Sequence, residues 1–155
     1  MDYLLVVRHG EYDNNTGQLT TPGEHQIESL ADKVQSILGI KQNKTTILSS
    51  QTQRTKQSAK IIAKIFGLPV EEIVFSKSLF PDGEDLSSKR AKELNILRTQ
   101  YQDSQLLVMV GHIDVANGYP EWVLQEREVT YSQGKIEKGQ GVLINLMTNA
   151  YQVVP

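Results

Sequence analysis

Short, wholly apolar runs alternate with helix-length amphipathic stretches along this chain, and that rhythm constrains its fold more than anything else in the sequence. The runs are Tyr3–Val7, Thr45–Leu48, a brief Ile73–Phe75 and Leu106–Val110, each followed by a small or polar residue. Tyr3–Val7 shows no polar alternation, so the first strand is expected to be buried on both faces, as in a parallel sheet covered above and below. Between the first two runs, Ile27, Leu30, Ala31, Val34 and Leu38 follow helical spacing, which predicts a helix from Thr21 to about Gly39. Thr21 is the expected cap, with Pro22 at the first helical position and Glu24 completing a capping box. After the second run, Ser50 is the expected cap of a helix whose buried stripe is Ala59, Ile62, Ala63 and Phe66, ended by Gly67 and Pro69. A less amphipathic helix is expected over Glu84–Tyr101 and another over Val115–Gln125. Gly141–Met147 and Tyr151–Val154 read as a terminal strand pair turning at Thr148-Asn149. The whole is an α/β protein with a mostly parallel central sheet and helices on both faces, expected as a single domain over 1–155.

Composition removes whole classes of chemistry. The 155 residues include no cysteine, which excludes disulfide scaffolds, thiolate metal sites and cysteine nucleophiles. The formal net charge is −2, so no bulk electrostatic attraction to nucleic acid or to an acidic membrane is expected. The longest apolar runs fall far short of the ~20 residues of a spanning helix. Met1-Asp2-Tyr3 runs straight into the first strand with no basic stretch before it, so no signal peptide is expected and a cytoplasmic location is.

In an open parallel sheet, ligands bind beyond the carboxyl ends of the strands. Arg8 and His9 follow the first strand, Ser49-Ser50 and then Arg54 follow the second, and His112 follows Leu106–Val110. Two arginines and two of the three histidines therefore fall on one sheet edge, where helix starts add the positive ends of their dipoles. In a slightly acidic protein that is an anion pocket, and the planar guanidinium fork suits phosphate. Two arginines aimed at the same point oppose a bound cation, so neither a metal nor another cofactor is expected.

The motifs at these positions resemble those of the histidine phosphatase superfamily, the phosphoglycerate-mutase-like group. Leu5-Val6-Val7-Arg8-His9-Gly10-Glu11 resembles its signature, and Leu19-Thr20-Thr21-Pro22-Gly23 the loop into its first helix. Ser49-Ser50 with Arg54-Thr55 and Gln57-Ser58-Ala59 resembles its second arginine motif, and Val110-Gly111-His112 its second histidine motif. The matches run in family order from Tyr3 to His112. The resemblance implies His9 as the nucleophile that becomes phosphohistidine, with Arg8, Arg54 and His112 holding the phosphoryl oxygens. Protonation of His112 beside a bound phosphate would serve that role. Glu11 is implied as a supporting residue and Asn15 as a phosphate contact. Phe80-Pro81-Asp82-Gly83-Glu84-Asp85 resembles the proline-x-glycine-acid stretch of the small bacterial phosphohistidine phosphatases, with Glu84 on the acid position and Asp82 as its substitute.

Size points within the family. Only residues 76–105 separate the third strand from the fourth, too few for the lids of capped mutases and sugar-phosphate phosphatases. An open pocket suits a phosphorylated protein or a small phosphate ester. The expected activity is thus a metal-independent phosphatase. The alternatives are a phosphate or phosphoprotein binding module with weak turnover and, behind it, a phosphoglycerate-type mutase. His25 is expected on the surface, and Trp122 in packing rather than on substrate. Gly139-Gln140-Gly141 lacks the third glycine of a dinucleotide loop.

Overall fold

The computed structural model describes residues 1–39 and 44–155. Six strands form one sheet: β1 (Tyr3–Arg8), β2 (Thr45–Ser49), β3 (Val74–Phe75), β4 (Leu106–Gly111), β5 (Gly141–Asn145) and β6 (Tyr151–Val154). Their order across the sheet is β3-β2-β4-β1-β5-β6. β4 is parallel to both β1 and β2, β3 is parallel to β2, and β5 and β6 complete the other edge as antiparallel neighbours. The mostly parallel sheet read from the alternation is therefore present.

The helices are α1 (Thr21–Leu38), α2 (Gln53–Ile65), α3 (Ser88–Gln100) and α4 (Ile113–Gln125). Side chains of β1 leave the sheet alternately. Leu5 and Val7 pack with Ile27, Leu30, Ile62 and Ala63 of α1 and α2. Leu4 and Val6 pack with Leu94, Val115, Tyr119 and Val123 of α3 and α4. All four β1 residues are fully buried, which accounts for a run with no polar alternation. Each such side chain stabilises the fold by about 1.5–3 kcal/mol relative to exposure.

Four local expectations shift, each for a physical reason. Thr20, not Thr21, caps α1, its hydroxyl accepting from the Gly23 N–H at 3.1 Å. Gly23 takes the third helical position because any Cβ there would collide with the Glu11 carbonyl, so Glu24 completes no capping box. Thr52 rather than Ser50 caps α2, accepting from the Thr55 N–H. Ser50 is left free for a different partner, described below. Finally, α3 starts at Ser88, where Ser87 caps it, rather than at Glu84. The preceding backbone is committed elsewhere, with the Asp82 N–H donating to the Asp114 carboxylate at 3.1 Å. At the chain end, β5 stops at Asn145 because its side-chain oxygen accepts from the N–H groups of Met147 and Thr148 and closes the turn.

Candidate active site

Sheet register assembles the site. In the parallel ladder Arg8 lies opposite Gly111, and Ser49 opposite Val110. The residues that follow, His9, Ser50 and His112, therefore emerge side by side from three adjacent strands. The His9 N–H donates to the Gly111 carbonyl and the Ser50 N–H to the Val110 carbonyl, which carries the ladder into the loops.

The two imidazoles meet edge to face with ring centroids 5.2 Å apart, and both residues are buried. His9 Nδ1 lies 2.8 Å from the Gly10 carbonyl. A carbonyl only accepts, so Nδ1 carries the hydrogen and Nε2 keeps its lone pair. Arg54 Nε donates to that Nε2 at 3.3 Å, and its Nη2 lies 3.4 Å from His112 Nδ1. One guanidinium thus spans both histidines. His112 Nε2 is 2.9 Å from Ser50 Oγ, which also contacts Thr55 Oγ1 at 2.7 Å. With Arg54 donating to Nδ1, the tautomer that satisfies the network places the hydrogen on Nε2, donating to Ser50. This explains why the motif carries a serine that is not a helix cap. His112 itself begins α4 without capping it, because its side chain is committed to the site.

Arg8 is held from the opposite side, Nη1 donating to the Ile136 carbonyl at 2.9 Å, while its buried Nε has no partner. The segment before β5 supports it further. The Gly139 N–H donates to the carbonyls of Arg8 and His9, and Glu137 lies close enough to oppose the lowering of the Arg8 pKa that burial causes. The second arginine motif also ties down the first motif. Ser58 Oγ accepts from the Gly10 N–H and donates to the Arg54 carbonyl, while Gln57 Oε1 accepts from the Leu19 N–H at 2.6 Å.

Burial holds both imidazoles neutral. Desolvation pushes His9 down to about 4, with Arg54, Arg8 and Lys138 adding to the effect. His112 is pushed down to about 3 by desolvation first, then by His9 and the arginines. Two neutral imidazoles therefore stand beside the guanidiniums of Arg8 and Arg54. A dianion placed beside His112 would act in the opposite sense and raise its pKa.

Arg8, His9, Arg54 and His112 are thus brought together. Glu84 and Asn15 are not joined to them by any hydrogen bond. Glu84 is exposed on the loop before α3, and Asn15 is exposed in the loop after β1, where its N–H donates to Asp13 Oδ1. The Asp82 carboxylate lies 3.8 Å from Arg90, an exposed pair worth little. Tyr119 is fully buried and donates to Asn95, so it belongs to the core.

Three neighbours of the site, Tyr12, Ile136 and Lys138, escape a motif reading, and Phe80 of the acid-bearing stretch joins them. The Tyr12 ring stands edge-on to His9 at 5.2 Å, beneath the Arg54 guanidinium at 4.5 Å and the Lys138 ammonium at 5.0 Å. Phe80 lies 6.4 Å from His112 between ring centroids. Tyr12 follows the signature directly and could have been found from that proximity. Lys138 and Ile136 approach only through tertiary folding.

Fold and site together give an α/β protein of the phosphoglycerate-mutase-like fold with two arginines and two histidines gathered at the carboxyl edge of its sheet. Residues 4–73 match the family model of the histidine phosphatase superfamily (branch 1). A 76-residue stretch is 35% identical to the probable phosphoglycerate mutase GpmB of Photorhabdus laumondii, covering 43% of this chain and 33% of that one. The chain thus spans about a third of the length of that relative. The protein histidine phosphatase SixA, solved with tungstate, superposes with a TM-score of 0.72 at 14% identity, over 97% of this chain and 93% of that one. A mycobacterial glucosyl-3-phosphoglycerate phosphatase solved with VO3 gives 0.66 at 16% identity, over 99% and 97%. A phosphoserine phosphatase variant from Entamoeba histolytica, solved with phosphoserine, gives 0.64 at 17% identity, over 100% and 96%. The recognition read from the motifs is borne out: residues 4–73 carry histidine phosphatase superfamily sequence, and the fold is that of its phosphatase and phosphoglycerate-mutase-like structures. Among the described residues no helix is long and apolar enough to cross a membrane.

Proposed function

We propose that the whole chain, 1–155, is one histidine phosphatase domain, a cytoplasmic, metal-independent phosphatase acting on a phosphohistidine protein or a small phosphomonoester. The observation that carries this reading is the fixed tautomer of His9. Its Nδ1–H is anchored on the Gly10 carbonyl, which leaves the Nε2 lone pair within reach of Arg54.

In the proposed reaction, Nε2 attacks phosphorus as the bond to the leaving oxygen or nitrogen breaks. Arg8, Arg54 and a protonated His112 bind the equatorial oxygens. The leaving group takes its proton from Glu84, with Asp82 as the substitute, or from water where the leaving group is an imidazole. Water then attacks phospho-His9, releasing inorganic phosphate and restoring the free imidazole. Asn15, on the exposed loop after β1, is proposed as a further phosphate contact.

The similarity to SixA, a protein histidine phosphatase, and the short stretch between β3 and β4 support a phosphorylated protein as substrate. Neither nucleic acid nor a membrane is proposed as a partner. The test is hydrolysis of p-nitrophenyl phosphate with and without a chelator, for the wild type and His9→Ala. Activity that survives the chelator and disappears in the variant is expected. Loss with chelator, or full activity without His9, contradicts the reading.

A second reading is a phosphoprotein binding module without turnover. The exposure of Glu84, outside hydrogen-bonding contact with the histidine pair, favours it. Tight vanadate binding with no phosphoenzyme would select this alternative.

A further inference from the structure

Two open grooves, of about 320 and 410 Å³, flank α4 and share Glu84, Asp85, Asn117 and Glu121 in their walls. Asp114 and Trp122 complete the first, while Tyr131 and Lys135 lie in the second. Four carboxylates thus face one ammonium. None of Glu84, Asp85 and Glu121 forms an ion pair among the described residues, and all three are exposed. Asp114 differs from them. It is 1% exposed, its Oδ2 accepts from the Asp82 N–H, and its Oδ1 has no partner. A buried carboxylate oxygen without a donor is costly, and a ligand N–H reaching the groove would supply one.

Ile113, the residue after His112, lines the larger groove, and Asp114 lines the smaller. The loop carrying Glu84 and Asp85 is pressed onto α4 by Leu86, whose Cβ would lie 2.5 Å from any Cβ at Gly118. Asp114 stands two residues beyond His112. The Asn117 side chain accepts from the Ile136 N–H at 2.8 Å, and the Ile136 carbonyl accepts from Arg8. One residue therefore links the groove wall to a phosphate-binding arginine. The pocket itself is cationic, so the change of sign across this short distance matches a zwitterionic ligand.

We propose that this acidic groove is a substrate subsite for a cationic group, a guanidinium or an ammonium, carried by the same molecule that presents its phosphate to His9. The Trp122 ring supplies a face on which such a cation stacks, and Asp85 and Glu121 supply the charge. The inference rests on the phosphatase reading for its kinetic test and is independent of it for its binding test.

The kinetic test uses phosphopeptides of one sequence with arginine, glutamine or glutamate beside the phosphorylated residue. Aminoethyl phosphate against ethyl phosphate forms a small-molecule arm. Expected is a KM about tenfold lower for the arginine peptide than for the glutamate peptide, the ratio two exposed carboxylates provide. The double variant Asp85→Asn/Glu121→Gln should abolish that ratio while leaving p-nitrophenyl phosphate hydrolysis unchanged. Preference confined to the peptides assigns the cation to a protein substrate, and preference in both arms to a small ester as well. Equal KM values for all three peptides, or a preference that survives the double variant, overturn the proposal.

The binding test uses the fluorescence of Trp122, the only tryptophan, in His9→Ala titrated with the same peptides. Tighter binding of the arginine peptide, with a Trp122 response lost in the double variant, supports the subsite even without turnover. Equal affinities overturn it. Failure of the phosphatase reading would appear instead as no hydrolysis of p-nitrophenyl phosphate.

Discussion

The buried histidine pair should make the ligand-free protein unusually sensitive to acid. Each imidazole titrates near 6.5 when unfolded, and near 4 for His9 or 3 for His112 when folded. The unfolded chain therefore binds more protons in between. Stability is complete above 6.5 and falls with pH, down to about 4 for His9 and about 3 for His112. At pH 5 each histidine costs about 2 kcal/mol, about 4 kcal/mol together, a large share of an ordinary domain's stability. Urea unfolding at pH 8 and pH 5 reads this as a midpoint shift of about 2 M. Asp114 acts in the opposite sense. Burial raises its pKa, so its carboxyl gains stability as pH falls. The comparison must therefore be wild type against His9→Gln/His112→Asn at both pH values, which cancels Asp114 and every other common group. The variant should lose most of the pH 8 to pH 5 difference. An equal difference in both proteins would show that the pocket does not hold these imidazoles neutral, and the tautomer argument for His9 would lose its basis.

Three further outcomes follow from the same geometry. Arg54→Lys keeps the charge but loses the fork that spans both histidines, so kcat/KM on a phosphate ester should fall on the order of 100-fold with little change in Tm. Ser50→Ala leaves the buried His112 Nε2–H without an acceptor. It should cost about 1–3 kcal/mol in urea unfolding and lower kcat as His112 loses its orientation. Gly23→Ala drives a Cβ into the Glu11 carbonyl, so α1 must shift from the loop after His9, with a loss of about 2–3 kcal/mol.

Much of this was legible because strand ends in a parallel sheet lie level. Once Tyr3–Val7 and Leu106–Val110 are read as strands of one parallel sheet, His9 and His112 must emerge on one edge, and the register agrees. Arg54 follows from its place in the first turn of the helix after β2. The caps of α1 and α2 were misread because local capping rules do not see tertiary demands. Gly23 is placed by the Glu11 carbonyl, and Ser50 by a histidine 62 residues away. The supports from the segment before β5, Ile136 and Gly139, carry no local signal, because they act through backbone groups that any residue type supplies. Asp114 was equally invisible. Its carboxylate matters through burial and through the Asp82 N–H, neither of which follows from an acid in the first turn of a helix.

The central claim is that His9 Nε2 becomes phosphorylated during turnover. Its most direct test is rapid acid-free quenching of the protein with a phosphate donor such as phosphoramidate, followed by phosphorus NMR and peptide mapping. The account predicts one phosphohistidine, bonded through Nε2 of His9, stable to base and labile to acid, and absent in His9→Ala. Phosphate found on His112 or on no residue, while hydrolysis proceeds at its normal rate, would contradict it.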